Sequence, residues 1–354
     1  MKFILCQPAI NRFKWELEVC ITRLKKLGID DIVLLFAQED NSIPLYFSEM
    51  YEVEVHVYDD RERDKTYIPS VKPFLWMKYL EEDRSREEES YFYLDSDVLL
   101  REIPKVRPTK KTWYASDCTS YISNDYIDSK GDTLLEDMCN KIGIDYDLIR
   151  KSNPIGGAQW VIKQPTFEYW KKVYEDSLKL YRYLSDIEAE YIQNNDKDYM
   201  PIQKWTAEMW AQLWNVYHFG INVKVPSELD FSWPNHDRTS YYEKKLFHNA
   251  GVTTHDKDLF FKGQYVNKSP FYDDLSHVNP EKASYEYVLA IKEVTNMVKY
   301  IALETFRDLE DDKIYEKDKP FPRPANKKIS KERIEALSTN KNQANRPLIK
   351  KVEG

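Results

Sequence analysis

The sequence has few cysteines, few glycines and no long apolar run. Its 354 residues include four cysteines and nine glycines. The cysteines form no CxxC pair and lack metal-site spacing, which argues against a disulfide framework and favours buried free thiols. No run of about 18 apolar residues is present, and the N-terminal segment turns polar too early for a signal peptide. We therefore expect a cytoplasmic protein without a membrane span.

The charge is unevenly distributed along the chain. The formal net charge is −8, yet Lys319–Gly354 carries ten Lys or Arg against three Glu, which leaves −15 on the residues before it. Apart from a short helical pattern near Ile329–Leu337, this segment lacks apolar periodicity. We expect residues 1–310 to form a single domain and residues 311–354 to form a basic, disordered tail. The acidic body argues against binding of a nucleic-acid polymer, because phosphate contacts need clustered Lys and Arg.

Apolar strands alternate with amphipathic helices in the first 94 residues. Strands are predicted at Met1–Gln7, Asp31–Ala37, Val53–Tyr58 and up to Leu94, with helices at Arg12–Leu27, Ile43–Met50 and Pro69–Glu82 between them. Later helices are expected at Pro165–Tyr191, Gln203–His218 and Tyr285–Phe306. The alternation predicts an α/β fold with a mostly parallel, Rossmann-like central sheet flanked by helices.

Two aspartates directly follow the most apolar of these strands. Tyr91–Pro104 reads YFYLDSDVLLREIP, which places Asp95 and Asp97 at the carboxyl end of the fourth strand. Ligands bind at that end in open α/β sheets. On an extended strand, residues two apart point to the same side roughly 7 Å apart, so both carboxylates could reach one hard cation. Oxygen ligands suit Mg²⁺ or Mn²⁺, and a capped structural turn is the alternative interpretation.

The order of several motifs resembles that of nucleotide-sugar glycosyltransferases with the GT-A fold. LDSD, preceded by the lysine-bearing helix PSVKPFLWMKYL, resembles their DxD region, and NPIGGAQWVIK resembles their strand facing the donor sugar. TAEMW lies where members carry an acidic residue near the reacting carbon, and FHNAG is similar to their late HxxG motif. The Lys-Pro-Trp segment that often follows HxxG is replaced here by a lysine further on, in FFKG.

The resemblance implies a role for each matching residue. It implies that His248 joins Asp95 and Asp97 in holding Mn²⁺ or Mg²⁺ against the donor diphosphate, with Lys72 or Lys262 as the diphosphate lysine. The remaining implied roles are donor binding by Asp95, Gly156 and Gly157, catalysis by Glu208 and Gln159, and acceptor binding by Trp233. The implied reaction moves a sugar from a nucleotide-diphosphate sugar, most simply a UDP-sugar, to a hydroxyl of a glycan or a modified nucleobase. Retention of anomeric configuration is slightly favoured.

Two other function classes remain open from the sequence. An apolar strand ending in DxDx also occurs in phosphoaspartate hydrolases, where the first aspartate is the nucleophile. Their motif normally lies on the first strand and continues with small residues, whereas DSDVL begins at residue 95. A non-catalytic module that binds nucleic acid through its basic tail and stacking tryptophans is the third class.

Overall fold

Fifteen strands and twelve α-helices make up the described part of the molecule. The computed structural model describes residues 1–194, 199–295, 300–323, 327 and 329–351. The strands are β1 Lys2–Pro8, β2 Ile32–Ala37, β3 Glu54–Tyr58, β4 Ser90–Tyr93, β5 Val98–Leu100, β6 Thr112–Asp117, β7 Gly156–Lys163, β8 Asn222–Lys224, β9 Phe231–Ser232, β10 Leu246–His248, β11 Tyr300–Ala302, β12 Phe306–Arg307, β13 Ile314–Tyr315, β14 Pro320–Phe321 and β15 Ile349–Lys351. The helices are α1 Asn11–Lys26, α2 Ser42–Tyr51, α3 Val71–Glu82, α4 Thr119–Ile122, α5 Asn124–Asp128, α6 Leu134–Ile142, α7 Tyr146–Ser152, α8 Phe167–Asn194, α9 Ala207–His218, α10 Thr239–Glu243, α11 Ser284–Thr295 and α12 Lys331–Ser338.

The central sheet has seven strands in the order β3-β2-β1-β4-β7-β6-β8. Strands β3, β2, β1 and β4 run parallel to their neighbours, as do β6 and β8, while β7 is antiparallel to both β4 and β6. Every residue of β2 is buried, because helices cover both faces of the sheet. The predicted α/β fold with a mostly parallel central sheet flanked by helices is thus confirmed.

A second, three-stranded sheet lies next to the first and has the order β5-β10-β9. Strand β10 pairs with β5 in antiparallel register, with His248 opposite Val98, and with β9 in parallel register. Leu99 and Phe247 pack on α11 and on Trp15 of α1, which ties this small sheet to the helical layer. The chain from 98 to 100 therefore leaves the main sheet and meets a segment almost 150 residues later.

The helix predicted at Tyr285–Phe306 is shorter in the structure. The described part of α11 runs from Ser284 to Thr295, and residues 300–302 form β11 instead of helix. Residues 296–299 lie outside the described part of the chain. Within that part, no helix is both long enough and apolar enough to cross a membrane.

Residues 300–351, where described, carry five strands and one helix around a small apolar cluster. Strands β14, β11 and β15 form one sheet, and α12 matches the helical pattern near Ile329–Leu337. The cluster unites Ala302, Tyr315, Phe321, Leu337, Leu348 and Ile349. These residues are too widely spaced to give a periodic signal, so the sequence indicated an irregular tail. The division of the chain at residue 310 stays a prediction.

Candidate active site

A cleft of about 1110 Å³ opens at the carboxyl ends of β1 and β4. Its walls come from the start of α1, the start of α3, the 95–97 segment, the start of α9 and the loops after β9 and β10. Charged and aromatic side chains in these walls, which could bind a ligand or take part in chemistry, are those of Arg12, Glu16, Lys72, Asp95, Asp97, Tyr121, Trp205, Glu208, Trp233, His236, His248 and Lys262. The cleft therefore gathers most of the residues that the sequence nominated.

Asp95 and Asp97 lie in a turn between β4 and β5. The expected extended strand ends earlier, at Tyr93, and Val98 N–H donates to the carbonyl of Asp95 at 3.4 Å across the turn. Asp97 is almost fully buried, whereas Asp95 is partly exposed to the cleft. The two carboxylates still point to one place, but a turn and not strand periodicity makes them converge.

His248 reaches the aspartates because β10 pairs with β5. Its Nε2 atom lies 3.3 Å from Asp97 Oδ1 and 3.7 Å from Asp95 Oδ2. The backbone N–H of Asn249 also donates to the carbonyl of Asp97, at 3.0 Å. Each of the three side chains offers a ligand atom, and these atoms lie within 4.8 Å of one another.

This donor set fits a divalent cation. Two carboxylates and one imidazole offer oxygen and nitrogen ligands, and an ion bound by so few protein groups keeps positions open for water or substrate oxygens. The two carboxylates suit Mg²⁺ and Mn²⁺, and the imidazole adds one nitrogen ligand. The three side chains are thus able to hold such an ion within the cleft.

Lys262 is the second charged neighbour of Asp97. Its ammonium group forms an ion pair with Asp97 Oδ2 from the turn at Lys262–Tyr265. Burial alone would raise the pKa of Asp97, but the charge of Lys262, together with the contact to His248, outweighs burial and holds the pKa far below its usual range. Asp97 is therefore ionised at any physiological pH, as a metal ligand must be.

Lys72 bridges Asp95 and Glu208. Its Nζ atom lies 3.1 Å from Asp95 Oδ1 and 2.8 Å from Glu208 Oε1. Burial lowers the pKa of Lys72, but the charges of Asp95 and Glu208 more than compensate and raise it well above its usual value. Burial raises the pKa of Glu208, and the ion pair with Lys72 only partly opposes this shift. The structure thus brings Glu208 beside the metal-ligand group through one lysine.

Gln159 lies behind His248 and not in the cleft. It is fully buried on β7, with Nε2 lying 3.2 Å from His248 Nδ1 and Oε1 accepting from Ser116 Oγ at 2.9 Å. An amide turned the other way would accept from Nδ1–H, which leaves His248 Nε2 free to bind a cation. The catalytic role given to Gln159 by resemblance stays a prediction, and its contacts are those of a residue that orients the imidazole.

We expect Gln159→Leu to weaken Mn²⁺ binding about tenfold, because His248 Nδ1 loses its partner. Gln159→Glu should retain the affinity, since a carboxylate accepts from Nδ1–H. Electron paramagnetic resonance of free Mn²⁺ in titrations without donor gives the affinity. Gln212→Leu is the matched control, because Gln212 is a buried glutamine outside the residues that line the cleft. Equal affinity in Gln159→Leu and wild type would contradict the orienting role.

Gly156 and Gly157, the two glycines predicted to bind the donor, are tightly packed in strand β7 of the central sheet. A Cβ on Gly156 would lie 2.9 Å from Ala115 Cβ, and one on Gly157 would lie 2.6 Å from Met209 Cε. Both glycines are buried and let β7 approach its neighbours closely. Donor contact by either glycine stays a prediction.

Trp233 forms part of the cleft wall beside the candidate metal ligands. It is half-buried, and its ring lies nearly parallel to that of His248, with 6.3 Å between centroids. Tyr121 meets it edge-on at the same distance. The wall therefore presents aromatic surface next to the candidate metal site, where a planar or ring-shaped acceptor could bind.

The cleft also contains two charged residues that the sequence did not predict as site residues, Arg12 and Glu16. Both lie in the first two turns of α1, and Arg12 Nε donates to Glu16 Oε1 at 2.9 Å. The available signal was an acidic residue next to Trp15 on the apolar face of a helix that follows a strand. A buried carboxylate on the helix that follows β1 lies near the edge of the sheet where ligands bind, but helical periodicity alone does not single it out.

The chain matches no protein-family model and no curated protein. Among solved structures it is similar to galactosyltransferase LgtC in complex with donor and acceptor sugar analogues, with 12% identity, 83% of this chain and 96% of that chain covered, and a TM-score of 0.42. An active-site mutant of LgtC gives the same identity and coverage with a TM-score of 0.43. The apo structure of the bifunctional glycosyltransferase WbbM gives 11% identity, 82% and 49% coverage, and a TM-score of 0.37. The functional proposal below rests on the geometry of the cleft.

Proposed function

We propose that the protein is a metal-dependent glycosyltransferase that uses a nucleotide-diphosphate sugar, with a UDP-sugar as the first candidate. The observation that carries the proposal is the convergence of Asp95, Asp97 and His248 in a cleft that also holds Glu208. Two lysines, Lys72 and Lys262, lie against the same carboxylates. A diphosphate requires positive charge of this kind, and a cleft of about 1110 Å³ can contain a nucleotide-sugar.

The chain's own residues supply the parts that sugar transfer requires. A divalent ion, when bound, would neutralise the diphosphate and favour its departure. Lys262 and Lys72 add positive charge on either side of the carboxylates. Glu208 faces the cleft with a negative charge, which favours the positive charge that develops at the anomeric carbon. The anomeric carbon–oxygen bond to the diphosphate breaks, the acceptor oxygen bonds to that carbon, and the acceptor proton leaves with the diphosphate.

The acceptor is proposed to be a hydroxyl on a ring-shaped molecule, with a glycan preferred to a modified nucleobase. The aromatic wall of Tyr121 and Trp233 supports a ring that stacks near His248. Retention of configuration is proposed from the resemblance to the HxxG-containing glycosyltransferases, whereas inversion would require Glu208 or another carboxylate as a general base. The four buried free cysteines fit the expected cytoplasmic location.

The direct test is a thermal-shift panel of nucleotide-sugars, each with Mn²⁺, with Mg²⁺ and with EDTA. A ligand at 100 times its dissociation constant adds about 2.7 kcal/mol to the free energy of unfolding, which raises the melting temperature by a few degrees. We expect one nucleotide to give this shift with metal only. The free nucleoside diphosphate should give a similar shift, because the metal and the lysines contact the diphosphate.

Further assays on the wild-type protein distinguish the three function classes that the sequence left open. Release of nucleoside diphosphate from the stabilising donor, absent in EDTA, would support sugar transfer. Hydrolysis of a simple phosphate ester by the wild-type protein, lost in Asp95→Asn, would favour a phosphoaspartate hydrolase. Stabilisation by nucleic acid alone, diminishing with salt, would favour a binding module.

A further inference from the structure

Glu16 of α1 lies against the Asp95–Asp97 turn, and the proposed sugar transfer assigns no role to its carboxylate. Glu16 is 1% exposed, and its Oε2 atom accepts a hydrogen bond of 2.6 Å from Ser96 Oγ. A hydroxyl–carboxylate bond this short belongs to the strong, charge-assisted class. Ser96 is the residue between the two aspartates and is itself buried. Glu16 therefore holds the centre of the turn.

Burying Glu16 here is electrostatically costly. Burial raises the pKa of Glu16, and Asp97 adds to the shift while Lys262 and Arg12 oppose it. A third carboxylate near two others is retained only when its hydrogen bonds compensate for lost hydration. Ser96 and Arg12 supply those bonds, one to each oxygen. This pattern of hydrogen bonds indicates that Glu16 stabilises the turn formed by Asp95, Ser96 and Asp97.

The Asp95–Asp97 turn is held only weakly by the backbone hydrogen bond across it. Its own backbone bond, from Val98 N–H to the Asp95 carbonyl, is long at 3.4 Å, so it constrains the carboxylates weakly. Glu16 by contrast is fixed, because α1 is held in place by its neighbour Trp15, whose Nε1–H donates to the Tyr265 carbonyl at 2.9 Å. That bond also joins α1 to the turn that carries Lys262. Helix α1 thus contacts both sides of Asp97.

We propose that Glu16 is a positioning residue: by holding Ser96 Oγ, it fixes the turn that directs Asp95 and Asp97 at one cation, and thereby sets the divalent-metal affinity of the cleft. The inference rests on the metal use proposed above. It assigns to α1 a role in the site that the motif residues alone do not reveal. Ligand orientation by such hydrogen bonds commonly changes metal affinity by 10- to 100-fold.

The test is Mn²⁺ titration of the donor-free, full-length protein, followed by electron paramagnetic resonance. Glu16→Ala and Ser96→Ala should each weaken Mn²⁺ binding about tenfold. Their double variant should be no more than about twofold weaker than Glu16→Ala, because both changes remove one hydrogen bond. Glu16→Gln should stay within about threefold of wild type, since its amide oxygen still accepts from Ser96 and the partly exposed Arg12 can turn toward solvent.

Glu18→Gln is the matched control. Glu18 lies on the same helix, is also buried, and accepts from the hydroxyls of Tyr46 and Tyr51 away from the turn. Its substitution should lower the melting temperature and leave Mn²⁺ affinity unchanged. A melting curve for each variant verifies that the protein titrated is folded, and Ser96→Ala, which removes one oxygen atom, remains informative where Glu16→Ala unfolds.

The outcomes separate this inference from the proposed function. If Ser96→Ala binds Mn²⁺ like wild type while Glu16→Gln is as weak as Glu16→Ala, the charge of Glu16 acts by itself and the positioning role is refuted. Wild-type protein that binds Mn²⁺ but transfers no sugar would refute the proposed transferase and leave the positioning result intact. Wild-type protein that binds no divalent ion would refute both.

Discussion

Asp97→Asn and His248→Ala proteins are expected to lose sugar transfer by about three orders of magnitude while remaining folded. Each change removes one of the three groups able to hold a divalent ion. Loss of several kcal/mol of charge stabilisation at the leaving diphosphate corresponds to roughly a thousandfold in rate, at about 1.4 kcal/mol per factor of ten. Initial rates at saturating donor and a range of Mn²⁺ concentrations give the measurement.

The chain offers a matched control for this prediction. Asp145 and Asp147 form another Asp-x-Asp sequence, but there Asp145 accepts from the Asp147 backbone and caps α7. Asp147→Asn should therefore leave transfer and Mn²⁺ dependence unchanged. Full activity of the Asp97→Asn protein in EDTA would show that the aspartates do not act through a metal.

Glu208→Gln is expected to lower kcat by about 10²- to 10³-fold with Mn²⁺ affinity unchanged. The carboxylate is buried at the start of α9, faces the cleft and is held by Lys72, so its charge is directed at the bound substrate. The amide has nearly the same shape but no charge, and charged groups acting on a reacting centre contribute on this scale. The ratio of kcat between the two proteins, measured at saturating donor and acceptor, tests the role.

Glu188→Gln is the control for the loss of a lysine–glutamate pair. Glu188 of α8 lies 2.6 Å from Lys204 Nζ, outside the residues that line the cleft. Its substitution should change neither kcat nor the apparent affinity for donor. If Glu208→Gln instead raises KM for donor with kcat intact, the residue binds substrate and does not stabilise the reaction.

The first four strands and three helices were predictable because their signals are local. The continuous apolar run of β2 and the helical spacing of α1 arise from elements buried between layers, and both appear where the sequence indicated. The position of Asp95 at the end of β4 follows from the same alternation. One strong local pattern therefore located the site at the correct edge of the sheet.

Pairing between distant segments was not predictable in the same way. The antiparallel direction of β7 and the meeting of β5 with β10 depend on contacts that no period in the sequence encodes. The hydrogen bond from Ser96 to the buried Glu16 of α1 is likewise a tertiary contact. His248 was predicted as a metal ligand from a motif resemblance. Its distance from Asp97 could be known only from the pairing of β5 with β10.

The register of β10 against β5 makes the site sensitive to insertions and deletions. Side chains alternate along a strand, so Phe247 contacts Tyr241 and Tyr287 in the core while His248 lies beside Phe231 and Trp233 at the cleft. Adding or removing one residue within Leu246–His248 would exchange these two directions and place an aromatic ring among the carboxylates. Length variation in a lineage or an engineered library should therefore be rare in the three residues of this strand.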